Sequence, residues 1–421
     1  MSVNSVTRYL AATAVVGGLA LFSPASDAQT NVVQSGQAGF VVSHIAYALS
    51  KDASETGACP DGMTKGYGKS TGFNDISDVF VAKPELKQQE GEVEDKYVRR
   101  IFTTAMSDPN TKNLCLNPEL GKPDPNFRTV TGKDVPADGI DLDGQDSKAN
   151  GKPAPGTCAH DDFRGMNGER GIDNQFYRLV GCSKSWQSTG PSNTFEVEML
   201  TGSWGILLTL KGADDMRNAK DVEVGFYANA DPIQLSPTRQ AVPNATYAIE
   251  QDPRFHATAH GRIVNGVLTT DPVDVRFHMT LNNIHLERPL QDARVRATFT
   301  PDGGLEGILA GYVPVEDQYD LQYGFRNGKD AKGDPAPLQL RTISSVGQAA
   351  VLGHTCNGAY FAMKQLADGH RDPKTGQCTS ISVQYRFSAI PAFVVNAATH
   401  SVNEALDRAA PAPSAKPNGN Y

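Results

Sequence analysis

The sequence predicts a mainly β protein, an antiparallel β-sandwich of jelly-roll-like type with α-containing N- and C-terminal parts. From Asn193 onward apolar and polar residues alternate with a period of two, as in TFEVEM at the start of 194–212. Asn265-Gly266 lies between two β-rich segments and predicts a hairpin, because both turn positions require positive φ. Asp302-Gly303-Gly304 is a second turn of this kind. Several strands joined by short polar turns favour the sandwich.

The segments on either side of this β-rich region contain helical as well as extended patterns. Residues 39–49, GFVVSHIAYAL, are apolar and predict either a strand or a short helix. Apolar residues recur at helical spacing in 92–106 and again in 358–368, so each of these segments predicts a helix. A turn and then a strand at 380–387 follow the second helix.

The N-terminus has the pattern of a secretory signal peptide. Arg8 supplies a positive charge, residues 9–22 form an apolar stretch, and Ser26 and Ala28 are the small residues that precede cleavage. We therefore expect a periplasmic or secreted protein with no transmembrane segment after signal cleavage. The predicted regions are the signal peptide (1–28), a mixed α-containing N-terminal region (29–130), the acidic loop with the β-sandwich (131–335), a mixed α/β C-terminal region (336–405) and a disordered tail (406–421).

The charge of the chain is modestly negative. The formal net charge is -8 at pH 7, and the acidic residues concentrate in loops. Because the sequence has no basic stripe, nucleic acid is not an expected partner. An acidic excess in loops favours a cation over an anionic ligand.

The chain contains six cysteines, and an exported protein is expected to pair them. They are Cys59, Cys115, Cys158, Cys182, Cys356 and Cys378. Six cysteines allow 15 pairings, which the sequence alone does not resolve. The simplest prediction joins sequence neighbours: 59 with 115, 158 with 182, and 356 with 378.

An acidic loop is the main candidate site. Asp138, Asp141, Asp143 and Asp146 lie close together in a glycine-containing segment. Calcium takes about 6–8 oxygen ligands, which such a loop is able to supply from side chains and carbonyls. The segment departs from an EF-hand, because it has Gly139 where the first Asp would stand.

A second acidic cluster follows shortly afterwards and is expected to complete the site. We expect its ligands to be Asp161, Asp173 and Asn174, with Asp162 and Glu169 nearby. The cofactor that these residues predict is calcium. The alternative is a solvated acidic turn, in which aspartates cap helices and stabilise turns without any ion.

Other constellations in the sequence are weaker. His256, His260 and His278 would suit zinc if a hairpin brought them together, but surface histidines on a strand are more common. Glu196 and Glu198 lie on one strand face at a spacing that fits a glycosidase pair, although exposed strand carboxylates are also common.

Several longer motifs carry a resemblance. The stretches GIDLDG, GIDNQFYRLVGC, DVEVGFYANADPI, GRIVNGVLTTDPVDV, GLEGILAGY and DPKTGQCTSISVQYRFSAIPAFVV resemble those of a group of uncharacterised exported bacterial proteins. The likeness runs over most of the mature chain. It implies export and a shared architecture, and it implies no particular activity.

Together these observations predict an exported, disulfide-bonded, calcium-stabilised binding protein of the cell envelope or medium. Its expected partner is a small molecule, a glycan or an envelope protein. One alternative is an extracytoplasmic hydrolase that acts on a glycan or an ester. A second alternative is a structural component of the envelope.

Overall fold

The computed structural model of the chain describes most of the β-rich region and part of the flanking segments. The described residues are 36–49, 57–64, 87–97, 100, 118–120, 123–124, 127–132, 135–146, 152–187, 199–200, 204–213, 215–281, 284–325, 339–340 and 356–396. The predicted signal peptide and C-terminal tail lie outside these ranges.

Strands dominate the described residues. They are β1 (Gln37–Tyr47), β2 (Ile206–Lys211), β3 (Asn218–Ala228), β4 (Ala245–Ala248), β5 (His256–Val264), β6 (Val267–Thr270), β7 (Val273–Leu281), β8 (Ile284–Phe299), β9 (Leu305–Pro314), β10 (Gly324–Phe325), β11 (Gln339–Leu340), β12 (Gly369–Arg371) and β13 (Cys378–Val395). The named α-helices are α1 (Gln175–Val180), α2 (Val315–Tyr323) and α3 (Cys356–Leu366). Short 3-10 helices cover Pro118–Leu120, Lys184–Trp186 and Pro253–Phe255.

Eight of the strands form a closed antiparallel barrel. Their order is β1-β2-β3-β5-β6-β8-β9-β13, and β13 then pairs with β1. Closure depends on the length of β13, which pairs with β9 from Ser380 to Ala389 and with β1 from Tyr385 to Pro391. The predicted β-sandwich is therefore wrong, because one continuous sheet curls round until its first and last strands meet. Alternation of apolar residues identifies strands, but it does not reveal that β1 and β13 pair.

Three of the remaining strands, β4, β7 and β12, extend the sheet of this barrel. β7 pairs antiparallel with the first half of β8, and β4 runs parallel to the end of β13 at Ala392 to Val395. β12 pairs with the start of β13, and β10 forms a separate two-stranded sheet with β11. The barrel thus takes strands from three of the regions that the sequence predicted.

The predicted turns and most local elements are confirmed. Asn265 and Gly266 both have positive φ, 53° and 79°, and they connect β5 to β6. The turn that contains Gly303 connects β8 to β9. Of residues 39–49, 39–47 belong to strand β1 and none is helical, and the helix predicted at 358–368 corresponds to α3. Residues 94–97 are helical, within the helix predicted for 92–106.

Apolar side chains fill the barrel interior. Residues that pair across neighbouring strands share a face, and Phe40, Leu208 and Phe226 form such a row, as do Leu309 and Tyr385. All five are 5% exposed or less. Packing of this kind is expected for eight strands, whose interior is just wide enough for side chains to fill. Among the described helices, none is both long enough and apolar enough to span a membrane.

Two disulfides differ from the predicted neighbour pairs. Cys59 bonds to Cys182, and Cys158 bonds to Cys378, with Cα atoms 5.8 Å and 6.0 Å apart. Cys356 is also disulfide-bonded, so every described cysteine is paired. The predicted 59–115, 158–182 and 356–378 links are all wrong, because Cys59 bonds to Cys182 and the barrel brings the start of β13, with Cys378, against the segment that holds Cys158.

Candidate metal centre

The acidic loop lies against the outer face of the barrel. Its residues Ile140 and Leu142 are buried, and they form a small apolar cluster with Ile308, Ala310 and Tyr312 of β9. These β9 residues alternate with Leu309, which faces the interior, so the cluster lies outside the barrel wall. Burial of the two loop residues fixes the aspartates between and beside them.

Polar side chains from the barrel wall hold the backbone of this loop. Gln384 of β13 accepts a hydrogen bond from the Ile140 amide at 2.9 Å and donates one to the Ile140 carbonyl at 2.8 Å. The side-chain amide of Gln384 also donates to the Asp173 carbonyl at 2.5 Å. Arg296 of β8 donates to the Gly139 carbonyl at 2.9 Å. The loop is therefore positioned by the strands and not only by its own turns.

The second acidic cluster is held against the same face of the barrel. Its Cys158 is linked to β13 by the disulfide, and the Cys158 amide donates to the Asp368 carbonyl at 2.9 Å. Asn174 caps α1 by accepting a hydrogen bond from the Tyr177 amide at 3.1 Å. The Asn174 side chain also donates to the Ala48 carbonyl at 2.8 Å. Both clusters thus meet at one place on the barrel.

His160 lies at the centre of this meeting point. Its Nε2 is 2.7 Å from Oδ1 of Asp173 and 2.9 Å from Oδ1 of Asp162. Its Nδ1 is 2.7 Å from the Cys158 carbonyl oxygen. All three side chains are 5% exposed or less. The site is therefore built from one imidazole and two carboxylates, almost entirely removed from water.

These contacts fix the proton on one ring nitrogen. A carbonyl oxygen only accepts, so Nδ1 of His160 must carry the proton that is donated to Cys158. Nε2 then faces two carboxylate oxygens, which have no proton to offer while they are ionised. The geometry requires a positive species between Nε2 and these oxygens, either a proton or a metal cation.

Asp143 and the backbone of the acidic loop complete the cluster. Ligand atoms of Asp143, His160 and Asp173 all lie within 4.8 Å of one another. The second oxygen of Asp173 accepts hydrogen bonds from the amides of Leu142 at 2.6 Å and Asp143 at 3.2 Å. The Thr157 hydroxyl donates to Asp143 at 3.3 Å. Backbone and hydroxyl donors thus orient the carboxylates, as they do in the outer shell of metal sites.

Burial and mutual repulsion control the protonation of the cluster. Burial raises the pKa of Asp368 to about 7, and the negative charge of Asp173 adds to this shift. Burial likewise raises the pKa of Asp141 to about 6, with added repulsion from Asp173 and Asp143. Asp368 is fully buried, and its Oδ2 has no hydrogen-bond partner among the described residues. The cluster carries more carboxylates than its single imidazole is able to neutralise.

The pKa of His160 is raised to about 11. Burial alone lowers it, but the hydrogen bonds to Asp162 and Asp173 outweigh the burial. Burial raises the pKa of Asp173, against the opposing effect of His160. In the absence of any cation, His160 is therefore an imidazolium that bridges two aspartates.

Two arginines border the cluster without entering it. Arg294 of β8 donates to the carbonyls of Asp141, at 3.4 Å, and of Leu142. Arg178 of α1 stacks over the Phe163 ring at 4.3 Å and donates to the Asp161 carbonyl at 2.7 Å. Both guanidinium groups bind backbone oxygens in these contacts, and their positive charge lowers the local negative potential.

The structure places the seven predicted ligands in different surroundings. Asp143 and Asp173 lie together, and Asp141 lies beside them, with Oδ1 accepting from the Gly144 amide at 2.6 Å. Asp138 instead forms an ion pair with Arg386. Asp146 lies 3.9 Å from Arg170.

Asp161 and Asn174 have structural contacts. Asp161 accepts from Gln175 and Arg178 through its backbone carbonyl, and Asn174 caps α1. The metal role of all seven residues stays a prediction, and the geometry favours Asp143 and Asp173.

Sequence reasoning missed His160 and Asp368 and gave Asp162 only a secondary place. The signal for His160 was the stretch CAHDD, in which an imidazole directly precedes two carboxylates. Asp368 lies more than two hundred residues along the chain, and only the pairing of β12 with β13 brings it to the cluster. No local pattern could have revealed that contact.

The other constellations do not converge in the described part of the chain. His260 is exposed and pairs with Asp221 at 2.9 Å, His256 contacts the Glu250 carbonyl, and His278 packs on Phe255. The only group of metal-ligating residues found among the described residues is the one around His160. Glu196 and Glu198 lie outside the described residues.

Comparisons of the chain with protein-family models, with curated proteins and with solved structures found no match. The resemblance to exported bacterial proteins stays a prediction.

Proposed function

We propose that the protein is an exported, disulfide-bonded binding protein whose barrel is stabilised by a divalent cation at His160. The ligands would be Nε2 of His160 and carboxylate oxygens of Asp143, Asp162 and Asp173. The observation that carries the proposal is the orientation of His160, with Nδ1 donating to a carbonyl and Nε2 directed at two buried carboxylates. Metal-bound histidines are oriented in this way by their second ring nitrogen.

The excess of negative charge supports a cation with more than one positive charge. Asp162, Asp173 and Asp368 act electrostatically on the single imidazole, and Asp141 and Asp143 lie close enough to Asp173 to repel it. A proton on His160 neutralises one of these negative charges. A divalent cation brings two positive charges, and His160 then binds it as a neutral imidazole. Buried charges that remain unpaired are costly, so the divalent cation is the better complement.

The donor set favours a zinc-class cation over calcium. Zinc binds histidine nitrogen and aspartate oxygen in a tetrahedron, whereas calcium takes about 6–8 oxygens. Ligand atoms in such a tetrahedron lie about 3.3 Å apart. The contacts of 2.7 Å and 2.9 Å at His160 must therefore lengthen by about half an ångström. Calcium remains the second candidate, because oxygens predominate in the cluster.

The burial of the site supports a structural role for the cation. Asp173 is 0% exposed and the His160 side chain 5%, so a substrate has no approach to a coordinating position. Structural zinc sites are closed in this way, whereas catalytic ones keep a position open. An extracytoplasmic hydrolase that acts on a glycan or an ester remains the alternative.

The disulfides support the proposed location. Disulfides persist in oxidising compartments such as the periplasm and the medium, and every described cysteine is bonded. The signal-peptide pattern of residues 1–28 agrees with this location. Sequencing the N-terminus of the protein recovered from the periplasm or medium tests it, with Gln29 expected as the first residue.

Thermal unfolding tests whether a metal ion binds at His160 and stabilises the fold. Zinc, calcium and a chelator are added in turn to the metal-free protein, and bound metal is quantified by mass spectrometry. Zinc at about 100 times its Kd is expected to add about 2.7 kcal/mol to the free energy of unfolding, because it binds the folded state alone. His160→Gln should abolish this response, because the amide cannot replace the imidazole as a zinc ligand.

The matched control is His260→Gln, which removes an exposed histidine that also pairs with an aspartate. This variant should respond to zinc as the unmodified protein does. A melting curve unchanged by zinc and calcium, with His160→Gln destabilised equally under all conditions, would show that His160 is only an imidazolium. A response to calcium that survives in His160→Gln would place the cation on the aspartates instead.

A further inference from the structure

Among the described residues, the Cys158–Cys378 disulfide is the covalent link between the candidate metal centre and the barrel. Cys158 lies two residues before His160, and Cys378 is the first residue of β13. The two cysteines are 220 residues apart in the sequence, so the bond joins distant parts of the chain. The position of His160 on the barrel therefore depends on this bond and on the hydrogen bonds around it.

The segment that carries Cys158 has little other support. Residues 157–162 belong to no named strand or helix, so no ladder of backbone hydrogen bonds fixes them. The Cys158 amide donates to the Asp368 carbonyl at 2.9 Å, and two side chains of α1 donate to the Asp161 carbonyl. His160 lies between these two points, so its position follows from where Cys158 and Asp161 are held.

The Cys158 carbonyl orients the imidazole. It accepts the hydrogen bond from Nδ1 of His160 at 2.7 Å, and this leaves Nε2 directed at Asp162 and Asp173. Loss of an outer-shell partner of this kind typically weakens metal binding about 10–100-fold. A shift of the Cys158 backbone would therefore displace the nitrogen that is proposed to bind the cation.

Repulsion between carboxylates acts on the same segment. Asp162 belongs to it, whereas Asp173 and Asp368 belong to parts of the chain that hydrogen-bond to β13. The side chains of Asp162 and Asp173 are 3% and 0% exposed, and the repulsion between buried charges is only weakly screened. The disulfide holds these carboxylates together while no cation is bound.

The bond is also the more accessible of the two described disulfides. Cys158 and Cys378 are both partly exposed, whereas Cys182 in the other bond is 0% exposed. Thiol–disulfide exchange requires a thiolate to reach a sulfur atom, and exposed disulfides are the ones that serve as labile or regulatory bonds. A protein thiol is therefore expected to exchange with Cys158–Cys378 in the folded chain.

We propose that the Cys158–Cys378 bond controls cation binding, so that the chain binds the cation tightly when the bond is formed and weakly when both thiols are reduced. The bond forms by exchange with the disulfide of a thiol oxidoreductase in the periplasm or medium. The two cysteines lose two protons and two electrons, and the partner's disulfide takes them up and becomes a dithiol. The inference rests on the cation site proposed above. The chain would thus take up its cation after export, where disulfides persist.

The zinc affinity of the whole mature protein in its two redox forms tests this control. A phosphine reduces the protein stepwise and is then removed. Alkylation with mass spectrometry identifies the free thiols, and a chromogenic chelator competes for zinc. Opening of the Cys158–Cys378 bond should raise the zinc Kd at least about tenfold, and reoxidation should restore it.

Tryptophan fluorescence follows the fold in the same samples. The reduced protein should lose its zinc affinity while its fluorescence stays that of the folded form. An unchanged or a lower Kd after reduction would overturn the proposal, because the bond would then only stabilise the fold. Loss of zinc only in samples that also lose the fold would overturn it as well.

Two double variants assign the effect to one bond. Cys158→Ser with Cys378→Ser should bind zinc weakly, and the phosphine should change its Kd no further. Cys59→Ser with Cys182→Ser retains the controlling bond, so reduction should raise its Kd as in the unmodified protein. The reverse pattern would assign the effect to the other bond and overturn the proposal. If the first variant does not fold, the unmodified protein and the second variant still decide the question.

The same measurements separate this inference from the proposed cation site. If zinc binds equally tightly before and after reduction, only the redox control is wrong and the cation site stands. If the oxidised protein binds neither zinc nor calcium, both proposals are wrong.

Discussion

His160 shows how a single side chain is made into a candidate ligand by its neighbours. The Cys158 carbonyl fixes which ring nitrogen carries the proton, and Asp162 and Asp173 provide two negative oxygens at the other nitrogen. Histidine is a common metal ligand, but only its neutral form binds. The cation and the proton therefore compete for the same position between Nε2 and the carboxylates.

Gln384 is the residue that joins the barrel wall to this centre. It is 1% exposed, and its side-chain amide satisfies the Ile140 amide, the Ile140 carbonyl and the Asp173 carbonyl. Gln384→Leu should lower the free energy of unfolding by about 3 kcal/mol, because these buried backbone groups lose their partners. Chemical denaturation measures the change, and zinc titration should show a weaker affinity.

Gln240→Leu is the matched control for that substitution, because Gln240 is exposed. It should change the free energy of unfolding by less than about 0.5 kcal/mol. If the two variants unfold at the same denaturant concentration, Gln384 does not anchor the loop.

For individual residues, the sequence predicted part of the candidate site. Asp143 and Asp173 were expected as ligands, because acidic residues with interleaved glycines are visible in a short window. Asp138 was expected beside them, but Arg386 of β13 pairs with it, and that partner is distant in sequence. Asp368 reaches the cluster by the same long-range route, so only the fold reveals its place.

Among the elements, β13 connects the barrel to the candidate metal centre. It closes the barrel by pairing with β9 and β1, and its outward face carries Gln384 and Arg386 to the acidic loop. Its first residue, Cys378, forms the disulfide to the segment that contains His160. One strand thus determines both the closure of the sheet and the position of the site.

The Cys158–Cys378 disulfide should matter more to metal binding than the other described bond. Cys158→Ser combined with Cys378→Ser should cost about 2–5 kcal/mol of stability, because the bond closes a loop of 220 residues. It should also weaken zinc binding, since Cys158 orients His160 through its carbonyl. Denaturant unfolding and zinc titration measure the two effects separately.

The matched control is Cys59→Ser combined with Cys182→Ser, which removes a disulfide that does not contact the centre. It should lower stability by a similar amount and leave the zinc affinity of the folded protein unchanged. Peptide mapping without reduction should find both bonds in the unmodified protein. A peptide that links Cys158 to Cys182 would contradict the structure itself.

For the whole molecule, local patterns in the sequence predicted the strands but not their assembly. The hairpin at Asn265-Gly266 and the period of two identified β5, β6 and the antiparallel arrangement. Sandwiches and barrels share these signals, because both bury alternate residues. The difference depends on whether β1 meets β13, a contact between segments that are separated by more than three hundred residues.

A crystal structure of the protein with zinc, measured at X-ray energies on both sides of the zinc absorption edge, examines the metal centre itself. We expect one anomalous peak about 2.0–2.2 Å from Nε2 of His160 and from carboxylate oxygens of Asp173 and Asp162 or Asp143. The His160–Asp173 contact should lengthen from 2.7 Å to about 3.3 Å around the ion. An unchanged contact of 2.7 Å, with no anomalous peak between the two side chains, would contradict the proposed metal centre.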